Sequence, residues 1–341
     1  MTFSKKYGFL DEGQDVGGML GAIANFLKTV APVSDPFTKC CSIIERFDKV
    51  TNYSKMTQSW RIPWLDKIIY KYRFADAIRR APGLVILRFV ANVIKERRDQ
   101  RASGQIPVAR KASGKKDFLN LDIQDKSTEL PPWCVTGWTF SNVIAGSDSV
   151  GTCMRTTVFN LLGHPHTLAR LYDELRSADL SRPYPKFSEV NALPYLDACV
   201  WEGVRMHPPF ALPFERIVRD GGITVLGHYL PAGTVIGGSP YVVNRHKGTF
   251  GQDAEFWRPE RWLEQDEKHK LKLQRSVLTF GAGRRVCIGK HIGLMEVKKL
   301  VAFLVLNYNL HIIDPKAFQV ENAWFFRQKG LNARVPSIST E

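Results

Sequence analysis

Phe280-Gly281-Ala282-Gly283-Arg284-Arg285-Val286-Cys287-Ile288-Gly289 is the stretch on which the reading of this 341-residue chain turns. It sets one cysteine between a glycine-rich turn and a strongly helical run, Lys290 to Leu306. Free backbone N–H groups at a helix start favour negative charge, and the thiolate is the form of cysteine that ligates metals. Gly283 permits positive φ and a close approach of backbone to a flat ligand. Gly289 removes side-chain bulk where the next helix would pass that ligand. Arg285 is placed to reach an anionic substituent such as a carboxylate. Phe280 is an apolar shield for the sulfur. A lone cysteine beside a turn is more often a small buried apolar residue. The spacing F-x-x-G-x-R-x-C-x-G sets this one apart.

Three further segments carry patterned chemistry. Glu202-Gly203-Val204-Arg205 lies inside an expected helix, Tyr195–His207, where i,i+3 spacing puts both charges on one face. Alone it is weak, since most such pairs are solvated surface pairs. Pro208-Pro209 ends that helix. Some fifty residues on comes Phe256-Trp257-Arg258-Pro259-Glu260-Arg261-Trp262. Earlier, Asn142-Val143-Ile144-Ala145-Gly146-Ser147-Asp148-Ser149 sits in an apolar stretch, Pro132 to Leu162, closed by Gly163 and Pro165. That pattern predicts a long buried helix.

In this order, the segments resemble those of cytochromes P450, and most closely fungal microsomal P450s of the pisatin-demethylase type. Tyr7-Gly8-Phe9-Leu10, Asp15-Val16-Gly17-Gly18 and Ile62-Pro63-Trp64-Leu65-Asp66 are similar to that group's middle region. The resemblance covers essentially the whole chain from Tyr7 onward. It implies a mainly α fold with a small β-rich side, a cytochrome P450 fold that is N-terminally truncated. Met1 would fall deep inside the usual architecture, after the anchor, the first strands and the early helices.

The resemblance also implies a cofactor, haem b, with Cys287 as the axial ligand of its iron. Arg285 would bind a propionate, and Phe280, Gly283, Gly289, Ala145 and Gly146 would complete the haem surroundings. Asp148 and Ser149 would relay protons on the oxygen side, Ser149 standing where threonine is commoner. Arg261 would complete a buried cluster with Glu202 and Arg205. Phe210 to Phe214 and Trp324 to Phe326 would border the substrate. Asn244 stands before Arg245 where a histidine is common. The implied activity is a monooxygenase of secondary metabolism, hydroxylating or oxidatively demethylating a small apolar substrate. Electrons would come from NADPH through NADPH–cytochrome P450 reductase, with cytochrome b5 as a second candidate donor. Two other classes compete. A haem-thiolate isomerase or dehydratase needs no electron donor, but such enzymes often disrupt the oxygen-side motif, which is intact here. A non-catalytic truncated remnant is the other.

Composition sets the bounds. With 44% apolar residues the chain can bury a large core. Its net charge of +15 is dispersed and accompanied by no nucleic-acid motif. The densest basic run, Lys95 to Lys116, reads as a solvated connector or a contact with anionic lipid, hence peripheral membrane contact. Arg284, Lys290, Lys298 and Lys299 bracket Cys287, and facing solvent they would steer an acidic electron donor. The six cysteines show no C-x-x-C pairing, which suggests a reducing compartment. The eight histidines show no zinc spacing, and His164 with His166 reads as a turn. No run of eighteen apolar residues is present, so the expected location is the cytoplasm or the endoplasmic-reticulum surface.

The chain reads as one domain, 1–341. It comprises a helical body 1–209, a β-rich and meander region 210–279, the cysteine loop and its helix 280–308, and a C-terminal β segment 309–341. Helices are predicted at Val16–Val30, Ile86–Arg98, Pro132–Gly163, Pro165–Ala178 and Phe187–Met206. Short strands are predicted at Ile217-Val218, Ile223–Val225 and Thr234–Ile236. Leu310–Ile313 is predicted to pair with Asn332–Val335.

Overall fold

The computed structural model describes residues 90–100, 102–103, 133–210, 212–264, 266–321 and 326–336. The expected helix at Val16–Val30, the family-like segments before residue 67, Cys40 and Cys41, residues 104–116 of the basic run, and Trp324 with Phe325 lie outside the described residues.

The chain divides into two compact units, and over the described residues the first ends at Asp148 and the second begins at Ser149. The first holds α1 (residues 90–100) and the leading part of α2 (Trp133–Gly163). Val90 and Ile94 of α1 form an apolar cluster with Val135 and Val143 of α2. Spacings of four and eight residues keep each pair on one helical face.

The second unit continues α2 into α3 (Pro165–Ser177). The turn between them centres on His164, whose carbonyl accepts from Thr167 and Leu168 N–H at 2.9 and 3.1 Å. Pro165 opens α3, at a position where the missing N–H costs nothing. The segment expected to be one helix from Phe187 to Met206 is two, α4 (Phe187–Val190) and α5 (Pro194–Met206). The break has a local cause. Leu193, before the proline, is extended at φ −86°, ψ 112°, as the proline ring requires of its predecessor. The new helix start is satisfied from α3, where the Glu174 carboxylate accepts from Tyr195 and Leu196 N–H at 2.7 and 2.8 Å.

From Tyr195 to Arg205 almost every position of α5 is buried, so this helix is enclosed on all sides. It packs on α2 through Gly203 and Thr157. α9 (Lys290–Asn307) lies against α3, α4 and α5 and buries Val297, Leu300, Val301, Leu304 and Val305.

The β part consists of two-stranded antiparallel ribbons. β1 (Phe214–Ile217) pairs with β4 (Val235–Gly238), with Phe214 opposite Gly238. β2 (Ile223–Val225) pairs with β3 (His228–Leu230). β5 (His311–Ile312) pairs with β8 (Ala333–Arg334), which matches the expected pairing of 310–313 with 332–335. β6 (Gln319–Glu321) and β7 (Arg327–Lys329) form a ribbon that no sequence pattern announced. The architecture is mainly α with a small β-rich side. Between β4 and the cysteine loop run α6 (Pro240–Val243), α7 (Lys247–Phe250), a 3-10 turn at Pro259–Trp262, and α8 (Glu267–Ser276). Among the described residues no helix is long and apolar enough to cross a membrane.

Candidate active site

Cys287 is exposed, on a loop between the 3-10 turn Leu278–Phe280 and α9. Gly281 donates to the Leu278 carbonyl at 2.8 Å, and the Cys287 N–H donates to the Phe280 carbonyl at 2.8 Å. Gly283 has φ +64°, and an added Cβ would meet nothing within 4 Å. Conformation, not space, therefore demands glycine there. At Gly289 an added Cβ would sit 3.9 Å from the Cys287 sulfur, so a longer side chain would begin to cover it. Phe280 is anchored edge-on against Trp201, with ring centroids 6.2 Å apart.

Around the sulfur the loop is aliphatic and open. Val286 is 50% exposed, Ile288 97% and Ile292, at the start of α9, 48%. Arg285 is exposed and has no ion-pair partner among the described residues. No group of three or more His, Cys, Asp or Glu residues able to hold a metal occurs among the described residues. A single soft sulfur donor, an aliphatic shelf and a spare guanidinium suit a flat, apolar, carboxylate-bearing macrocycle. The residues present fit a haem.

Behind the loop lies a buried charge network. Glu202 and Arg205 are wholly buried and Arg261 is 3% exposed. The Glu202 carboxylate accepts from Arg205 Nε at 2.9 Å and Nη2 at 2.7 Å. It also accepts from Arg261 Nε at 3.1 Å, Trp262 Nε1 at 3.0 Å and the Arg258 backbone N–H at 2.9 Å. Arg205 further donates to the carbonyls of Asn244, Ala254 and Phe256, and Arg261 to those of Phe250, Asp253 and Phe256. One carboxylate thus ties α5 to the 250–262 meander, with its charge compensated on several sides. Asp253 joins through Arg261 at 3.1 Å. Burial pushes its carboxyl up, but Arg261 and Arg258 outweigh that and hold it below the usual value.

Asn244 is also wholly buried. Its carboxamide spans Arg205 on one side and Leu278 with Thr279 on the other. In the sequence Asn244 stands out only as a departure from a commoner histidine. Trp262, Gly203 and Asp253 carry no local sign of the roles they have here. A polar residue directly after the valine pair Val242-Val243 is the local signal for Asn244.

The remaining candidates fall as follows. Ala145, Gly146, Asp148 and Ser149 lie together on α2, Ala145 exposed and the other three half-buried. Between them Ser147 hydrogen-bonds back into its own helix, its hydroxyl donating to the Ile144 carbonyl at 3.2 Å. One turn after Ser149, Cys153 is buried, and burial, with the charge at Cys287 adding to it, pushes its thiol up to about 12. It is therefore an inert apolar residue at neutral pH. Phe210 and Phe214 pack with centroids 6.4 Å apart. Phe326 is buried against His207 and Tyr241, and its N–H donates to the Pro209 carbonyl at 2.8 Å.

The basic group around Cys287 needs correction. Lys298 does not face solvent: it is 6% exposed and its ammonium binds Asp197 at 2.7 Å and Asn191 at 2.9 Å. Lys290 is half-buried, with Nζ 5.1 Å from the Trp201 ring centroid and 5.5 Å from that of Phe280. Arg284 and Lys299 are the members that are exposed.

Residues 38–332 match the family Cytochrome P450. The chain is 58% identical over 341 residues to cytochrome P450 monooxygenase mfmA of Annulohypoxylon moriforme, covering 98% of this chain and 61% of that protein. It is 48% identical over 337 residues to cytochrome P450 monooxygenase pkfB of Emericella nidulans, covering 98% and 60%. Against cytochrome P450 monooxygenase asR2 of Sarocladium schorii the identity is 45% over 344 residues, covering 98% and 61%. The chain spans about three fifths of the length of these relatives. This chain belongs to the cytochrome P450 family.

Proposed function

We propose that the chain is the haem-thiolate part of a monooxygenase of fungal secondary metabolism. It would hydroxylate or oxidatively demethylate a small apolar substrate, using dioxygen and electrons from an NADPH-dependent reductase. The observation that carries this reading is Cys287: an exposed thiol on a glycine turn, with exposed aliphatic residues beside it at Val286 and Ile288 and at Ile292 in the first turn of α9. The names of its relatives, all monooxygenases, support it.

In this reading Cys287 binds the haem iron and Arg285 holds a propionate by a charge-assisted hydrogen bond. Bound haem supplies the activation of dioxygen, which a thiolate ligand favours by pushing electron density onto the metal. Ala145 and Gly146 contribute little side-chain volume on the oxygen side. Asp148 and Ser149 pass protons inward, the carboxyl as source and the hydroxyl as the last donor. Phe210 and Phe214 give the substrate an apolar wall and exclude water. Arg284 and Lys299 draw the acidic donor protein toward the cysteine side.

The test is the reduced carbon-monoxide difference spectrum of the chain supplied with haem. A strongly red-shifted Soret band, lost in Cys287→Ser with haem still bound, is the expected result. Haem uptake with no red-shifted band, or a band that survives Cys287→Ser, would overturn the reading.

A further inference from the structure

We propose that Asn244 is a positioning residue for Cys287, carrying the placement of the buried Glu202–Arg205–Arg261 network into the loop that holds the sulfur. The inference rests on the reading of Cys287 as a metal ligand and deepens it. The Asn244 Nδ2 donates to the Arg205 carbonyl at 3.1 Å and to Thr279 Oγ1 at 2.8 Å, while Oδ1 accepts from the Leu278 N–H at 2.8 Å. The Arg205 carbonyl only accepts and the Leu278 N–H only donates, so the partners fix which end of the amide is oxygen. Arg205 returns the contact, its Nη1 donating to the Asn244 carbonyl at 2.9 Å. Thr279 adds a second tie to α5 by donating to the Val204 carbonyl at 2.8 Å.

The other end of this bridge is the floor of the cysteine loop. Leu278 accepts from Gly281, and Phe280, one residue past Thr279, accepts from the N–H of Cys287 itself. Glu202 and the sulfur loop are therefore joined through Arg205, the Asn244 side chain and one three-residue turn. A ligating atom has to be held to within about 0.5 Å by the shell behind it. Truncating Asn244 takes this partner from the half-buried Leu278 N–H and the buried Arg205 carbonyl, which frees the turn rather than merely thinning the core.

Amide hydrogen exchange on the full chain tests this without any bound group. In Asn244→Ala, amides of the 278–287 segment should exchange at least about tenfold faster while those of α9 keep their rates. Asn244→His offers one donor and one acceptor and should restore most of that protection. Unchanged rates in 278–287, or equal acceleration across α5 and α9, would overturn the proposal. Should Asn244→Ala fail to fold, Thr279→Val removes the far hydroxyl alone and is read by the same two outcomes. With haem supplied, Asn244→Ala should lose part of the red-shifted carbon-monoxide band at unchanged haem content. Failure of the Cys287 reading would show in the unsubstituted chain's spectrum, whereas failure of the Asn244 role shows in the exchange rates.

Discussion

Gly203 faces Thr157 so closely that a Cβ added to the glycine would lie 2.2 Å from the threonine hydroxyl and 3.2 Å from its Cβ. The Thr157 hydroxyl is not free to swing away cheaply, because it donates to the Cys153 carbonyl at 2.9 Å. Gly203→Ala should therefore destabilise the fold by about 1–3 kcal/mol through overpacking. Chemical denaturation of the single variant and of Gly203→Ala/Thr157→Ala checks it. The double variant should recover part of the loss, and a sum of the two single effects would disprove the contact as its cause.

Removing Glu202 should be among the most damaging single changes in the molecule. Glu202→Ala leaves Arg205 and Arg261 buried around an empty centre, at a cost of about 3–5 kcal/mol. A urea midpoint close to that of the unsubstituted chain would contradict this. Glu202→Gln keeps the shape and loses the charge, so it should fall between the two.

His207 predicts an acid limb. Burial first, then the charges of Arg245 and Arg155, push its imidazole from 6.5 down to about 3. The folded state thus keeps it neutral while the unfolded chain binds a proton below 6.5. Stability from this group is fully present above pH 6.5 and falls as the pH drops toward 3. At about pH 5 the loss is about 2 kcal/mol. His207→Phe, which packs on Phe326 without titrating, should flatten the decline between pH 7 and pH 5 in urea titrations. An unchanged slope would assign the acid limb to other groups.

Lys298 and the exposed cations separate stability from electron delivery. Lys298→Met should cost about 1–3 kcal/mol, because Asp197 and Asn191 lose a buried partner. Lys270, 2.9 Å from Asp197, limits the damage. Arg284→Glu with Lys299→Glu should leave stability nearly unchanged. It should slow reduction by the donor at low salt and weaken the salt dependence. The stopped-flow reduction rate at two ionic strengths distinguishes the cases, and identical rates would remove the steering role.

How much of this was legible depends on the range of each interaction. The Cys287 loop and the helix after it could be read because local spacing alone encodes a glycine turn followed by a helix. The i,i+3 spacing of Glu202 and Arg205 shows that they can meet, but not that Trp262 and Arg258 close around them. Those partners lie more than fifty residues away. Pro194 is a local signal for a helix start, and it was outweighed by the apolar run across it. Lys298 was read as solvated because charge predicts exposure on average, and only the presence of Asp197 on a neighbouring helix turns it inward. The β6–β7 ribbon was invisible because three-residue strands are too short to show alternation, and in β7 the buried residue is a polar one, Gln328.

The indole N–H of Trp262 ends on the same carboxylate that holds the two arginines, and Trp201 lies 5.7 Å away, ring to ring. The molecule therefore carries an optical gauge wired to a buried cluster of charges. Any event that loosens that point, whether acid, denaturant or substitution, changes the surroundings of a native fluorophore and reports itself in the emission of the unlabelled chain.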